Sequence, residues 1–177
     1  MTRIPLAAWM LPLTIGGLAA GAVSLPAAAE VLYVASPNRI WVLDSETGKQ
    51  LGDMALGHTT FDIAFSADRT RAYLATNDGV MEVDATKHAV LGRLLPGPAF
   101  EVELSPDGKL LYVLGNEVLK RPDGQQEALP SQLTTFDLGT RSVAAKQEVG
   151  LGAEDLALAA GRAAVTAPPF SLYAAVA

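Results

Sequence analysis

Two closely similar phrases stand 39 residues apart in this chain, FSADRTRAYL at residues 65–74 and LSPDGKLLYV at residues 104–113. Each phrase contains the end of an apolar run, a polar turn and the start of a second apolar run. Two sets of residues recur at a similar interval: Tyr33, Tyr73 and Tyr112, and Asp44, Asp84 and Asp137. Only the interval between Asp84 and Asp137 is longer. A period of about 40 residues indicates a fold built from repeated supersecondary units.

Each copy contains four short runs in which apolar and polar residues alternate, a pattern typical of β-strands. In the second copy these runs are residues 72–76, 80–84, 90–95 and 100–105. Asn-Asp-Gly and Pro-Asp-Gly lie between runs. They are predicted to form turns, because Asn, Asp and Gly tolerate the positive φ of tight hairpins. Four strands in each unit of about 40 residues predict an all-β fold, a β-propeller made of four-stranded antiparallel blades.

The repeated phrase is predicted to join the innermost strand of a blade to the next strand. We expect Ser66 and Ser105 to end the first strand, and Asp68 and Asp107 to bond nearby backbone N–H groups. Gly108 provides the backbone freedom in the second phrase. Arg69 stands at that position in the first phrase. The repeated aspartates are explained as turn residues and the repeated tyrosines as core residues.

The strand pattern predicts fourteen strands, or about three and a half blades, whereas complete propellers have four to eight. The third copy is longer, and its extra residues lie in a polar segment, 117–131, that we expect to be an insertion loop. Three explanations remain open. The chain is a piece of a longer propeller, or two copies associate to close the ring, or it docks on a partner subunit. An abrupt end inside a repeat favours the first.

Residues 1–29 have the features of a secretory signal peptide. Arg3 is followed by an uncharged stretch over residues 4–29, which ends in Ala27-Ala28-Ala29. Cleavage after Ala29 would give a periplasmic or secreted protein of residues 30–177. The alternative is an uncleaved membrane anchor, which three prolines in the stretch disfavour. We therefore expect no stable membrane anchor after cleavage.

Composition excludes several functional classes. The chain has no cysteine, so it has no disulfide, thiolate metal site or cysteine nucleophile. Its net charge is −6 and it has no run of Lys or Arg, which disfavours a nucleic-acid partner. Its two histidines, His58 and His88, lie in different turns, so we expect no metal site. No motif for a catalytic triad or a nucleotide phosphate is present, and we predict no catalytic residue and no cofactor in this chain.

One set of acidic residues occupies the same repeat position, next to the predicted innermost strands: Asp62, Glu101 and Asp155. The spacings of 39 and 54 residues follow the repeat and its insertion. An acidic ring at the mouth of a central channel would attract cations or a basic partner. Glu103, two residues after Glu101, would lie on the same strand face. The alternative is structural, because such carboxylates also accept hydrogen bonds from neighbouring backbone N–H groups.

The order of these motifs resembles a known family. The Ser-Pro-Asp-Gly turn followed by Tyr-Val, together with the later Val-x-Asp-x-x-Thr pattern, resembles the YVTN family of bacterial β-propellers over residues 31–177. The same motifs, with a Pro-containing insertion before LTTFDLGT, look like the propeller subunit of quinohemoprotein amine dehydrogenases. That resemblance implies a non-catalytic binding or scaffold module packed on cofactor-bearing chains. The alternative it leaves open is an enzyme that uses the propeller funnel with a quinone-type cofactor held by a partner chain.

Overall fold

The computed structural model describes residues 30–116, 118–153, 155–159, 162–167 and 171–175. The predicted signal segment, residues 1–29, lies outside the described residues. Within them the chain is all β, and no helix long and apolar enough to cross a membrane occurs there. The strands are, in chain order, β1 (Val31–Ser36), β2 (Arg39–Asp44), β3 (Gln50–Ala55), β4 (Thr60–Phe65), β5 (Arg71–Thr76), β6 (Gly79–Asp84), β7 (Ala89–Pro96), β8 (Ala99–Leu104), β9 (Leu110–Gly115), β10 (Val118–Lys120), β11 (Gln126–Ala128), β12 (Ser131–Asp137), β13 (Ser142–Gly150), β14 (Asp155–Ala159), β15 (Arg162–Ala167) and β16 (Ser171–Ala175).

Fourteen of these strands form four antiparallel sheets in chain order. The first sheet is β1-β2-β3 and the second is β4-β5-β6-β7. The third is β8-β9-β12-β13 and the fourth is β14-β15-β16. The same register recurs in three of them, since Val31 lies opposite Asp44, Arg71 opposite Asp84 and Leu110 opposite Asp137. The predicted strands of the second copy are confirmed to within one or two residues.

The third copy differs from its prediction in one respect. The segment 117–131, expected as a loop, contains a short hairpin in which β10 pairs with β11. Its turn, Arg121-Pro122-Asp123-Gly124, is closed by a hydrogen bond from the Gly124 N–H to the Arg121 carbonyl (3.0 Å). Gly124 adopts a left-handed φ of 83°, which a residue with a side chain rarely adopts. The Pro-Asp-Gly turn therefore allows a hairpin to form in a segment whose polar composition suggested an irregular loop.

The sheets pack face to face around inner strands. β8 lies beside β4 on one side and β14 on the other, so the first strands of the second, third and fourth sheets are innermost. Three apolar clusters fill the spaces between successive sheets, and we number these spaces the first, second and third interfaces. Tyr73 and Tyr112 are buried in the second and third interfaces, which confirms their prediction as core residues.

The repeated turns form as the residue pattern predicts. Asp68 accepts a hydrogen bond from the Thr70 N–H (3.0 Å), and Asp107 accepts one from the Lys109 N–H (3.2 Å). The hydroxyls of Ser66 and Ser105 accept the N–H of the first residue of the next strand. Gly108 has a φ of 69°, and Arg69 adopts a similar φ of 56° in the first copy. The turn geometry is thus kept even where glycine is absent.

Candidate functional site

The inner acidic residues link one sheet to the next. Asp62 on β4 accepts a hydrogen bond from the Val102 N–H on β8 (3.0 Å). Glu101 on β8 accepts one from the Leu156 N–H on β14 (3.4 Å). Val102 and Leu156 each follow the acidic residue of their own strand. Each carboxylate therefore binds the backbone of the following inner strand at the same repeat position.

Irregular strand pairing precedes both of these carboxylates. The register between β4 and β5 shifts between Thr60 and Asp62, and that between β8 and β9 shifts between Ala99 and Glu101. Such a bulge re-aims the side chains next to it. The residues at the two shifts, Phe61 and Phe100, contact each other edge to face, with ring centroids 5.7 Å apart. The bulge and the aromatic pair thus hold the two carboxylates at the boundary between sheets.

Burial and nearby charges raise the pKa of two glutamates on β8, Glu101 and Glu103. Burial raises the pKa of Glu101, and the charges of Asp62, Asp155 and Glu103 raise it further, against the opposing effect of the Leu156 N–H. Burial and then the charge of Asp62 raise the pKa of Glu103. Asp62 binds the N–H of the residue after Glu101, and Glu101 binds the N–H of the residue after Asp155, so each acidic residue lies near the next one in the repeat. The hydrogen bonds favour the structural interpretation for Asp62 and Glu101, and cation binding stays a prediction.

Glu101→Gln is expected to raise the free energy of unfolding at pH 7, because the amide oxygen still accepts the Leu156 N–H while the charge is removed. A carboxyl whose pKa is raised by folding binds more protons in the native state, so its contribution to stability falls as pH rises above the usual value of 4.5. The gain should disappear below about pH 4. Urea unfolding between pH 4 and 7 measures it, with the exposed Glu148→Gln as control. A variant less stable than the wild type at pH 7 would contradict this account.

The two histidines lie at opposite ends of the sheets. His58 precedes β4, and its Nε2 is 3.5 Å from a carboxylate oxygen of Asp78. His88 follows β6 at the other end, and its Nδ1 is hydrogen-bonded to the hydroxyl of Tyr33 (2.7 Å). Among the described residues, no group of three or more His, Asp or Glu side chains is placed to hold a metal ion.

Turn residues in the left-handed conformation reach back to the preceding sheet. His88 (φ 51°) contacts Tyr33 of the first sheet in this way. Arg141 (φ 53°), at the same repeat position in the third sheet, donates a hydrogen bond to Glu82 of the second sheet (3.1 Å). Glu82 is only 9% exposed, and Arg71 is its other cation, at 3.7 Å. The second interface therefore contains a buried carboxylate that depends on two arginines.

The second interface also contains a cavity of about 270 Å³. Val80 and Leu95 of the second sheet line one wall, and Gln132 and Thr134 of the third sheet line the other. At the first interface the residue equivalent to Thr134 is Met81, which packs against the buried cluster there. The cavity therefore lies where a short polar side chain replaces a long apolar one.

Thr134→Met is expected to raise the free energy of unfolding by about 1 kcal/mol, because the longer side chain fills the cavity with apolar contacts. Met81→Thr, the reverse change at the first interface, should lower it by about 2 kcal/mol. Urea unfolding of both variants measures the pair. A lower free energy of unfolding for Thr134→Met would contradict this prediction and show that the cavity does not accommodate the longer side chain.

The outer face of the first sheet contains none of the predicted site residues. Its residues Leu32 and Val34 are 50% and 37% exposed. The equivalent residues of the second sheet, Ala72 and Leu74, are completely buried against the first sheet. Those of the third sheet, Leu111 and Val113, are at most 5% exposed against the second. Aligning the repeats could have identified this site, because the alignment matches exposed apolar residues of the first sheet with core residues of the later sheets.

Comparison with known proteins supports the fold alone. No protein-family model matches the chain, and no curated protein sequence matches it either. Among solved structures, the chain is similar to the WD40 domain of Neurospora crassa Pan2, with 15% identity and a TM-score of 0.61 over 80% of this chain and 44% of that one. It is also similar to a functionally unknown protein from Desulfotomaculum acetoxidans DSM 771, with 12% identity and a TM-score of 0.59 over 73% of this chain and 40% of that one.

The fold is a β-propeller. The all-β sheets, their inner strands and these structural similarities agree on it. Hydrazine synthase of Kuenenia stuttgartiensis also matches, with 18% identity and a TM-score of 0.46 over 77% of this chain and 52% of that chain. The chain spans only about 40% to 52% of the lengths of these three solved chains.

Proposed function

We propose that this protein is an exported, non-catalytic propeller module of the YVTN type that binds another protein through the outer face of its first sheet. The observation that carries the proposal is the exposure of Leu32 and Val34. In each later sheet the equivalent pair is buried against the sheet before it, down to Ala163 and Val165 of the fourth sheet. The first sheet presents the same kind of surface without a described sheet on it.

Neighbouring residues extend this surface. Trp41 and Leu43 on β2 are equivalent to Met81 and Val83, which pack toward the preceding sheet in the first interface. Trp41 and Leu43 are partly exposed, and the guanidinium of Arg39 lies 4.9 Å from the centre of the Trp41 ring. Exposed apolar surface rimmed by polar groups is typical of protein interaction sites. An apolar sheet face of this form suits the sheet of another protein chain.

The finer proposal is that the partner is the cofactor-bearing part of a periplasmic amine dehydrogenase. It is supported by the resemblance of the motif order, and by the secretory pattern of residues 1–29. Export is tested by fractionating cells that produce the chain and measuring the mass of the exported product. A product that starts at Glu30 in the periplasm supports export, and retention in the membrane or cytoplasm contradicts it.

The partner proposal is tested by sedimentation of the protein with the purified cofactor-bearing chains of a quinohemoprotein amine dehydrogenase. We expect one complex with the wild type and none with Leu32→Glu, because a buried unpaired charge opposes association. Leu51→Glu is the control, since Leu51 is equally exposed (52%) on β3, the outermost strand of the sheet. No complex with the wild type would overturn the amine-dehydrogenase association.

A further inference from the structure

We propose that the partner adds a β-strand to the free edge of β1, and that this strand places an Asp or Glu side chain opposite Ala35. The proposal rests on the proposed function, because it names the chemistry of the chain that covers the first sheet. It follows from two features of the inner strands, their register and their hydrogen bonds.

The register places an acidic residue at one position of every described inner strand. Asp62 lies opposite Ala75 of β5, and Glu101 lies opposite Leu114 of β9. Asp155 lies opposite Thr166 of β15. The equivalent residue of β1 is Ala35, two positions after Tyr33, as Ala75 follows Tyr73 and Leu114 follows Tyr112. An inner strand that paired with β1 in the same register would therefore place its acidic residue opposite Ala35.

The hydrogen bonds show how the second sheet differs from the third and fourth at that position. The Val102 N–H binds a carboxylate of the preceding inner strand, and so does the Leu156 N–H. The equivalent group of the second sheet is the Ile63 N–H. It binds Oδ1 of its own neighbour Asp62 (2.7 Å), and the first sheet, within the described residues, supplies no carboxylate to it. An acidic side chain on an added strand would give Ile63 an acceptor from a preceding inner strand, as Val102 and Leu156 have, in place of the Asp62 oxygen that it binds now.

The edge itself is suited to strand addition. β1 pairs with β2 on one side, and no described strand pairs with its other side. The first strand of the second sheet, β4, lies next to β1, so an added strand would be close to Ile63. Strand addition to a free sheet edge supplies main-chain hydrogen bonds, and side chains on the added strand supply specificity. Here the specificity would come from the carboxylate.

The first test uses the whole protein and a fluorescein-labelled peptide that copies residues 97–107, which contain β8. A matched peptide carries Ala at the position of Glu101. Fluorescence polarisation should show saturable binding of the acidic peptide, about fivefold tighter than the Ala peptide, because alanine has no side-chain acceptor for the backbone N–H. A peptide of the same composition in scrambled order should not compete.

The second test makes the strand part of the chain, so that weak peptide binding cannot hide the effect. A copy of residues 97–109 is placed directly before Val31, where the repeat would put an inner strand and its turn. The thermal midpoint should rise, and the same variant with Ala at the copied Glu101 should show a smaller rise. Equal effects of Glu and Ala in both tests would overturn the requirement for the acidic side chain and leave the binding surface standing. No binding and no rise would overturn the added strand, while the outer face of the first sheet is tested separately by Leu32→Glu.

Discussion

Gly115→Ala is expected to lower the free energy of unfolding by about 3 kcal/mol. Gly115 lies opposite Ala99 in the pairing of β8 with β9, and a Cβ at this position would collide with the carbonyl oxygen of Pro98. The obstacle is backbone, so a change of rotamer cannot relieve it, and the connection into the inner strand β8 must move. Urea unfolding followed by far-UV circular dichroism measures the loss.

Gly52→Ala is the matched control for this change. Gly52 also lies in a strand, but a Cβ there meets no atom within 4 Å and its φ is ordinary for any residue. Its stability should stay within about 0.5 kcal/mol of the wild type. If Gly115→Ala were as stable as Gly52→Ala, the close approach between Gly115 and Pro98 would be wrong.

Arg141→Met is expected to lower the free energy of unfolding by about 2 kcal/mol, because it removes the closer of the two cations around the buried Glu82. The loss of stability arises from the Glu82 carboxylate that remains, so removing that carboxylate as well should restore the stability. At the position of Glu82 the first sheet has Val42 and the third has Thr135. The double variant Glu82→Val with Arg141→Met should therefore unfold close to the wild type.

A double-mutant cycle by urea unfolding separates the two effects. Lys109→Met removes an exposed ion pair with Asp107 and should cause no measurable change, since such pairs contribute little. If the double variant lost as much stability as Arg141→Met alone, the loss would come from packing of the arginine stem, and the buried-charge explanation would be contradicted.

Features that depend on local sequence were predictable. The strands follow from alternation of apolar residues, and the Ser-x-Asp turns follow from side chains that bond the adjacent backbone. The positive φ of Arg69 was not predicted, although its place in the repeat is occupied by Gly108 in the next copy. The hairpin in segment 117–131 was missed, because strands of three residues are too short to show a clear alternation of apolar and polar residues.

The function of the inner carboxylates could not be decided from the sequence. Asp62 and Glu101 accept hydrogen bonds from backbone groups 40 and 55 residues later in the chain. No local pattern identifies a donor at that distance, so the repeat left both the ion-binding and the structural interpretation open. The cavity beside Thr134 was hidden for a similar reason, because it depends on which faces of two sheets meet.

Hydrogen exchange in β1 reports directly on whether the free edge of the first sheet receives a strand. Amide exchange is followed in the protein alone and with an excess of the peptide that copies residues 97–107. We predict that alternate amides of β1 exchange faster than those of β5 and β9 in the free protein, and that the peptide protects them without affecting β3. Amides of β1 already as protected as those of β5 and β9, or unchanged by the peptide, would contradict the account.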